Sequence, residues 1–173
     1  PSGGFQEPPE GGTPTGTPSF PLVLKRDDGA GSMGMRLIKN TETLIPALSQ
    51  SERRKYRLER FCHGLPASVA VLCGPAGNTP LQPCEQKLNS TTLEYLGGRT
   101  PLPPPLEDRA KSLALAAIAV MPPTTGYVGV DLVLGEQANG SQGVVIEINP
   151  RLTTSYVGLR QACGQNLAQA MLD

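Results

Sequence analysis

Glu147, Asn149 and Arg151 occupy every second position at the end of the apolar run 144–148, and Asp131 interrupts a second apolar run, 126–134. Alternate residues of a strand project to one face, so an acid, an amide and a guanidinium converge on one spot. The run around Glu147 reads as a strand covered on both faces. A carboxylate in such a place requires a charged partner or a metal. Turn-forming residues 135–143 join the two runs, which allows antiparallel pairing with Asp131 beside Glu147 and Asn149. Two buried carboxylates without a cation would repel and drive one pKa up. Three oxygen ligands on adjacent strands, next to a fixed guanidinium, suit Mg²⁺ carrying a phosphate. The competing reading is a structural ion pair between Glu147 and Arg151.

A second concentration of polar chemistry lies near the start. The apolar segment Phe20 to Lys25 reads as a short strand ending in a lysine, and Gly29, Gly31 and Gly34 follow in G-x-G-x-x-G spacing. A dinucleotide fold would need a helix at once. Instead 35–39 alternates apolar and polar like a strand, so the unit reads as strand, glycine flap, strand, whose backbone N–H groups can cover phosphates. Lys25 would add a point charge there. A ligand-free glycine hairpin is the alternative.

The elements that must position these groups follow in order. Asn40 to Thr43 caps a short helix with Leu44, Ile45, Ala47 and Leu48 as its apolar face. Arg53, Arg54 and Lys55 read as a solvated turn. Residues 56–61 form a strand, after which a chain crossing between lobes would offer backbone donors and acceptors to a flat ring. A bend at 63–66 leads to a strand over 67–73, and 79–87 continues the sheet. A helix from about 106 to 120 starts at prolines and acids suited to an N-terminus. Its buried face is Leu113, Ala116, Ala117 and Val120, broadened by Leu115, Ile118 and Ala119. Thr153 to Ser155 caps a further turn, and 167–172 opens a closing helix.

At 173 residues the chain holds one domain or two small lobes, and 15 basic residues balance 15 acidic ones. That balance, with Trp absent, gives no nucleic-acid signature. No apolar run reaches the ~20 residues of a membrane span, so no membrane partner is expected. Residues 1–18, rich in Gly, Pro, Thr and Ser, read as a flexible linker or loop. A start at Pro1 and Ser2, with neither signal peptide nor initiator Met, reads as part of a longer chain. Cys62, Cys73, Cys84 and Cys163 form no C-x-x-C pair and read as reduced thiols of a cytoplasmic protein. His63, the single histidine, reads as a loop residue, which disfavours zinc and a histidine triad.

Four stretches in this order resemble the ATP-grasp superfamily of carboxylate–amine and carboxylate–thiol ligases: Val23-Leu24-Lys25 with its glycine loop, Leu58-Glu59-Arg60-Phe61, Gly129-Val130-Asp131, and Glu147-Ile148-Asn149-Pro150-Arg151. They span residues 20 to 160 or so. The run from Asn149 to Gly158 is most similar to the branch containing tyramine–glutamate ligase of methanofuran biosynthesis and its bacterial relatives. The resemblance implies an α+β ATP-grasp fold, two α+β lobes whose antiparallel sheets grip ATP: a linker over 1–18, a small lobe over 19–61 and a large lobe over 62–173. It implies Lys25 on the α/β phosphates, with Gly29, Ala30, Gly31, Ser32 and Gly34 covering them. Glu59, Arg60, Phe61 and Cys62 would read adenine at the hinge. Asp131, Glu147 and Asn149 would bind two Mg²⁺ ions, with Mn²⁺ as a substitute, and Arg151 would act with Lys25 on the reacting groups. Many members place a ribose-binding acid where this chain has Pro66, so Ser68 or His63 would take that contact. The implied activity is ADP-forming amide ligation of a small-molecule carboxylate and amine through an acyl phosphate. The alternatives are a thiol or other acceptor, and a nucleotide-binding module without turnover.

Overall fold

A computed structural model describes residues 19–27, 32, 34–47, 56–137 and 139–171. The flap residues Gly29, Ala30 and Gly31, the expected linker 1–18, Leu48 and the basic turn at 53–55 lie outside the described residues.

Strands β1 (Leu22–Arg26), β2 (Arg36–Ile38) and β3 (Tyr56–Arg60), with helix α1 (Thr41–Ala47), form the first unit. Its antiparallel sheet runs β2-β1-β3. Alternation along β1 decides its two faces. Leu22 and Leu24 pack with Ile38, Phe20, Leu44, Ala47 and Tyr56, while Val23 and Lys25 face a cleft. The Asn40 cap forms as the sequence indicates: Thr43 N–H donates to Asn40 Oδ1 at 2.9 Å. Ile45, expected on the buried face, is 68% exposed. Leu44 and Ala47, spaced by three, are the helix residues that join the core of Leu22, Leu24 and Ile38.

The larger sheet contains β4 (Leu65–Gly74), β5 (Gly77–Pro80), β6 (Cys84–Leu88), β7 (Tyr95–Arg99), β8 (Gly126–Leu134) and β9 (Val144–Asn149). Its order is β7-β6-β4-β8-β9, with β5 hairpinned onto β4 and every pairing antiparallel. One face is covered by α2 (Pro104–Ala119). Ala67, Val69, Val71, Val128, Val130, Leu132 and Leu134 meet its buried stripe of Ala110, Ala114 and Ile118. Small residues at i, i+4 and i+8 let the helix lie close to the sheet. Val120, expected on this face, is the C-cap and 85% exposed, because the chain leaves the helix there toward Pro122 and Pro123.

On the opposite face the sheet is divided. Ala70, Leu72 and Tyr127, with Leu81 and Cys84, pack with Leu159, Tyr156 and Cys163 from the α3 region (Ser155–Ala162) and Leu167 of α4 (Leu167–Ala170). Pro66, Ser68, Asp131 and Val133, nearer the other end of the same two strands, line the cleft. Among the described residues, α3 and α4 cover one end of this face and the cleft occupies the other.

β9 departs from expectation. It is the edge strand, and Val144 and Ile146 are 37% and 38% exposed, so it is not covered on both faces. Register shifts between Asp131 and Leu132, which pair with Glu147 and Val145. The unpaired Ile146 is the extra residue of a bulge. Val145 and Ile148, three apart, both reach the α2 core, and Ile146 joins Glu147 on the cleft side. β7 is an element that the sequence pattern did not announce; its Gly97 and Gly98 dilute any alternation.

Between the two sheets the chain passes through 61–64. Gly64 has φ +140°, and a Cβ there would collide with the carbonyl of Leu134. The crossing therefore stays tight against the end of β8 only with glycine at this position.

Candidate functional site

A cleft of about 490 Å³ opens between the two sheets, within the range of small-ligand sites. One wall is cationic. Lys25 Nζ lies 2.5 Å from Glu59 Oε2, and Arg57 Nε donates to Glu59 Oε1 at 2.7 Å and Nη1 to Asp27 at 3.2 Å. Cross-strand register explains the cluster: Val23 opposes Glu59 and Lys25 opposes Arg57, which makes Lys25 and Glu59 diagonal neighbours. Burial alone would raise the Glu59 carboxyl, but hydrogen bonds from Lys25 and Arg57 outweigh it and hold Glu59 below its ordinary range. The described part of the flap turns through Ser32 and Gly34, both with positive φ, and Ser32 and Met35 line the cleft.

The facing wall carries the carboxylates. Asp131 is in register with Ser68 on one side and Glu147 on the other. Both of its oxygens accept from amides: Gln86 Nε2 donates to Oδ1 at 2.8 Å and Asn149 Nδ2 to Oδ2 at 3.2 Å. Burial, with the Glu147 charge added, pushes the Asp131 carboxyl above its ordinary range against the opposing pull of those hydrogen bonds. Glu147 is exposed rather than buried, because its strand is the sheet edge. Arg151 donates to Asn149 Oδ1 at 2.9 Å and to the Leu152 carbonyl, not to Glu147. The structural ion pair that competed with the ligand reading is therefore not what Arg151 makes.

Hinge residues Glu59, Arg60, Phe61 and Cys62 all line the cleft, as does Ser68, which is 5% exposed. His63 is absent from that lining and sits edge-on to Phe61, with ring centroids 4.9 Å apart. Sequence reasoning missed Gln86, Leu93 and Tyr95, which the β6–β7 hairpin adds to the lining. A single polar residue in a short strand carries no periodic signal. Leu93 could have drawn attention only through its left-handed backbone (φ 59°), a tertiary fact. Thr153 and Ser155 were read as a cap, yet no side chain caps α3. Their hydroxyls instead close a triangle with the buried Tyr127 hydroxyl at 2.8–3.2 Å. Gly129 makes room for it, since a Cβ there would collide with Thr153 Cγ2.

The donor set fits a hard divalent cation. Among the described residues no cluster of three or more His, Cys, Asp or Glu gathers, so the protein offers two carboxylates, Asp131 and Glu147. Mg²⁺ is commonly held by one or two carboxylates, with waters and phosphate oxygens completing the shell. Asn149 donates its amide nitrogen to Asp131 and accepts from Arg151 on its oxygen, which keeps a second lone pair for a cation.

Two antiparallel sheets closing on one cleft, a lysine on one wall and paired carboxylates on the other, define the ATP-grasp fold. The chain belongs to the ATP-grasp domain family, whose model matches residues 9–155. It is similar to tyramine–L-glutamate ligase of Methanocaldococcus jannaschii, at 30% identity over 105 residues, which cover 61% of this chain and 32% of that protein. Solved structures with the same fold include the following two. L-amino acid ligase from Bacillus licheniformis aligns with a TM-score of 0.71 and 19% identity over 91% of this chain and 39% of that one. N5-carboxyaminoimidazole synthetase from Staphylococcus aureus, complexed with ADP, aligns with 0.72 and 19% over 88% and 40%. The matched part spans about a third of the length of the curated relatives.

Proposed function

We propose that this chain carries the nucleotide- and cation-binding part of an ATP- and Mg²⁺-dependent ligase that joins a small-molecule carboxylate to an amine with release of ADP. Residues 19–61 act as the small lobe and 62–173 as the large lobe of its grip. The observation that carries the reading is the opposition of charges across one cleft: Lys25 on one wall, Asp131, Glu147 and Arg151 on the other. The ligase names of the family relatives support it.

In this reading the hinge backbone at 60–62 receives the adenine edge, and Ser68 stands below the ribose. Lys25 exchanges its pairing with Glu59 for the α/β phosphates, beside Ser32 of the glycine loop. Asp131, Glu147 and Asn149 would hold Mg²⁺, which would supply neutralisation of the phosphate charge. A substrate carboxylate oxygen attacks the γ-phosphorus, the bond to the β–γ bridging oxygen breaks, and ADP leaves. The amine then attacks the acyl carbon, phosphate departs with the C–O bond, and the amine gives up a proton. The protein's work is charge stabilisation by Lys25 and Arg151 and exclusion of water from the acyl phosphate.

Calorimetric titration of Mg·ATP, followed by ADP release with a panel of amines and thiols, tests this. Saturable, metal-dependent binding is expected, and Glu147→Gln should lower it at least tenfold while the protein stays folded. An amine-stimulated release of ADP identifies the acceptor class. A folded Glu147→Gln protein that binds and turns over like wild type would sink the site assignment. Binding without stimulated release from the complete chain would replace the ligase reading with a nucleotide-binding module.

A further inference from the structure

Gln86 reaches the carboxylate wall from an unexpected direction. It belongs to β6, while Asp131 lies on β8, 45 residues on, and β4 runs between the two strands. Two strand spacings separate their backbones by about 10 Å. Gln86 Nε2 nevertheless lies 2.8 Å from Asp131 Oδ1, so the side chain spans β4 on its cleft face. The β4 residue in register with Asp131 is Ser68, one of the smallest side chains available.

We propose that Gln86 is a positioning residue for the cation ligand Asp131: together with Asn149 it fixes the plane of the carboxylate so that the remaining lone pairs face the cleft beside Glu147. This rests on the nucleotide-site reading above and adds a residue to it.

Reach and charge select the residue type. Asn or Ser on β6 is too short to cross β4. Glu has the reach but would face Asp131 and Glu147 with a third negative charge and no donor. Lys or Arg has the reach and a donor, but its charge would neutralise one of the two carboxylates that a divalent cation needs. A glutamine amide is the neutral donor of sufficient length, and because a carboxylate only accepts, Nε2 rather than Oε1 must face Asp131. Asn149 serves the other oxygen at 3.2 Å, so the carboxylate is gripped from β6 on one side and from β9 on the other.

The test is a Mn²⁺ titration, read by the electron paramagnetic resonance of free Mn²⁺, on wild type, Gln86→Leu and Gln86→Met in the presence of ATP, with a separate titration of metal-free ATP. Thermal unfolding monitors folding, and Met keeps most of the side-chain volume if Leu does not pack. Loss of one hydrogen bond to a charged group should raise the Mn²⁺ dissociation constant about tenfold or more. Metal-free ATP should bind within about twofold of wild type, because the Lys25 wall is untouched. Unchanged Mn²⁺ affinity in either folded variant overturns the assignment. So does an equal loss of Mn²⁺ and metal-free ATP, which would make Gln86 a general support of the cleft. Wild-type protein that binds metal-free ATP but no Mn²⁺ overturns this inference alone; wild type that binds neither overturns the nucleotide-site reading with it.

Discussion

Asp131 is the residue at which function and stability pull apart. Burial and the Glu147 charge raise its pKa above the ordinary 3.8, so the folded state holds its proton more tightly than the unfolded chain does. Stability from this group is therefore fully present below pH 3.8 and is lost as pH rises through the higher folded value. At neutral pH the ionised carboxylate is a net cost to folding. Asp131→Asn should accordingly unfold at the same or a higher temperature than wild type at pH 7, the difference closing as pH falls toward 3.8, while Mn²⁺ affinity drops. Melting curves across pH with a parallel Mn²⁺ titration check this; a variant that melts well below wild type at pH 7 would show that the carboxylate stabilises the fold. Asp131, Glu147 and Arg151 were legible as a group from spacing alone, because strand alternation is a local rule. Gln86 was not, because its partner is 45 residues distant and two strands away.

At the scale of elements, β8 meets the segment leading into α3 in close contact at Gly129. Gly129 admits Thr153, whose methyl occupies the space that a Cβ would take, and Thr153 in turn holds the hydroxyls of Tyr127 and Ser155. Gly129→Ala should destabilise the protein by about 1–3 kcal/mol through overpacking and loosen the cleft edge formed by 153–155. Removing the colliding methyl with Thr153→Ser keeps the hydroxyl, so the double variant should recover most of the loss. Thermal denaturation of the four proteins of this cycle reads the coupling; additive effects would break the proposed contact. The element types themselves were mostly readable. Apolar runs marked β1, β4, β8 and β9, alternation marked β2, and proline-bounded periodicity marked α2. The buried face of α2 was misjudged: Ala116 and Val120, expected on it, are exposed, and the buried Ala110 and Ala114 were not counted, because a helix apolar on most sides supports more than one rotation of its stripe.

For the whole molecule, the cleft exists only because two sheets with separate cores face each other across the short crossing at 61–64. Leu22, Leu24 and Ile38 anchor one core, and the α2-covered face of the larger sheet is the other. A ligand touching both walls stabilises the folded state by mass action, about 2.7 kcal/mol at a hundredfold excess over its Kd. For a chain of this size that corresponds to a rise in Tm of roughly 5–10 °C. Mg·ATP should produce that rise, and ATP with excess EDTA a smaller one. Equal shifts with and without Mg²⁺ would remove the cation from the site. No helix among the described residues is long and apolar enough to cross a membrane.

The sequence by itself determined the strand-borne polar groups, most of the elements around them, though not β7, and the family they resemble. Each of these depends on alternation, capping or motif spacing, which act over a few residues. Only the tertiary structure decided that β9 is an edge strand, and so that Glu147 is exposed and Ile146 bulges into the cleft. It alone also decided that Arg151 pairs with Asn149, that Thr153 needs Gly129, and that Gln86 reaches Asp131 across β4. Strand order, register shifts and contacts between distant segments come from the packing of whole sheets, and no local pattern encodes them.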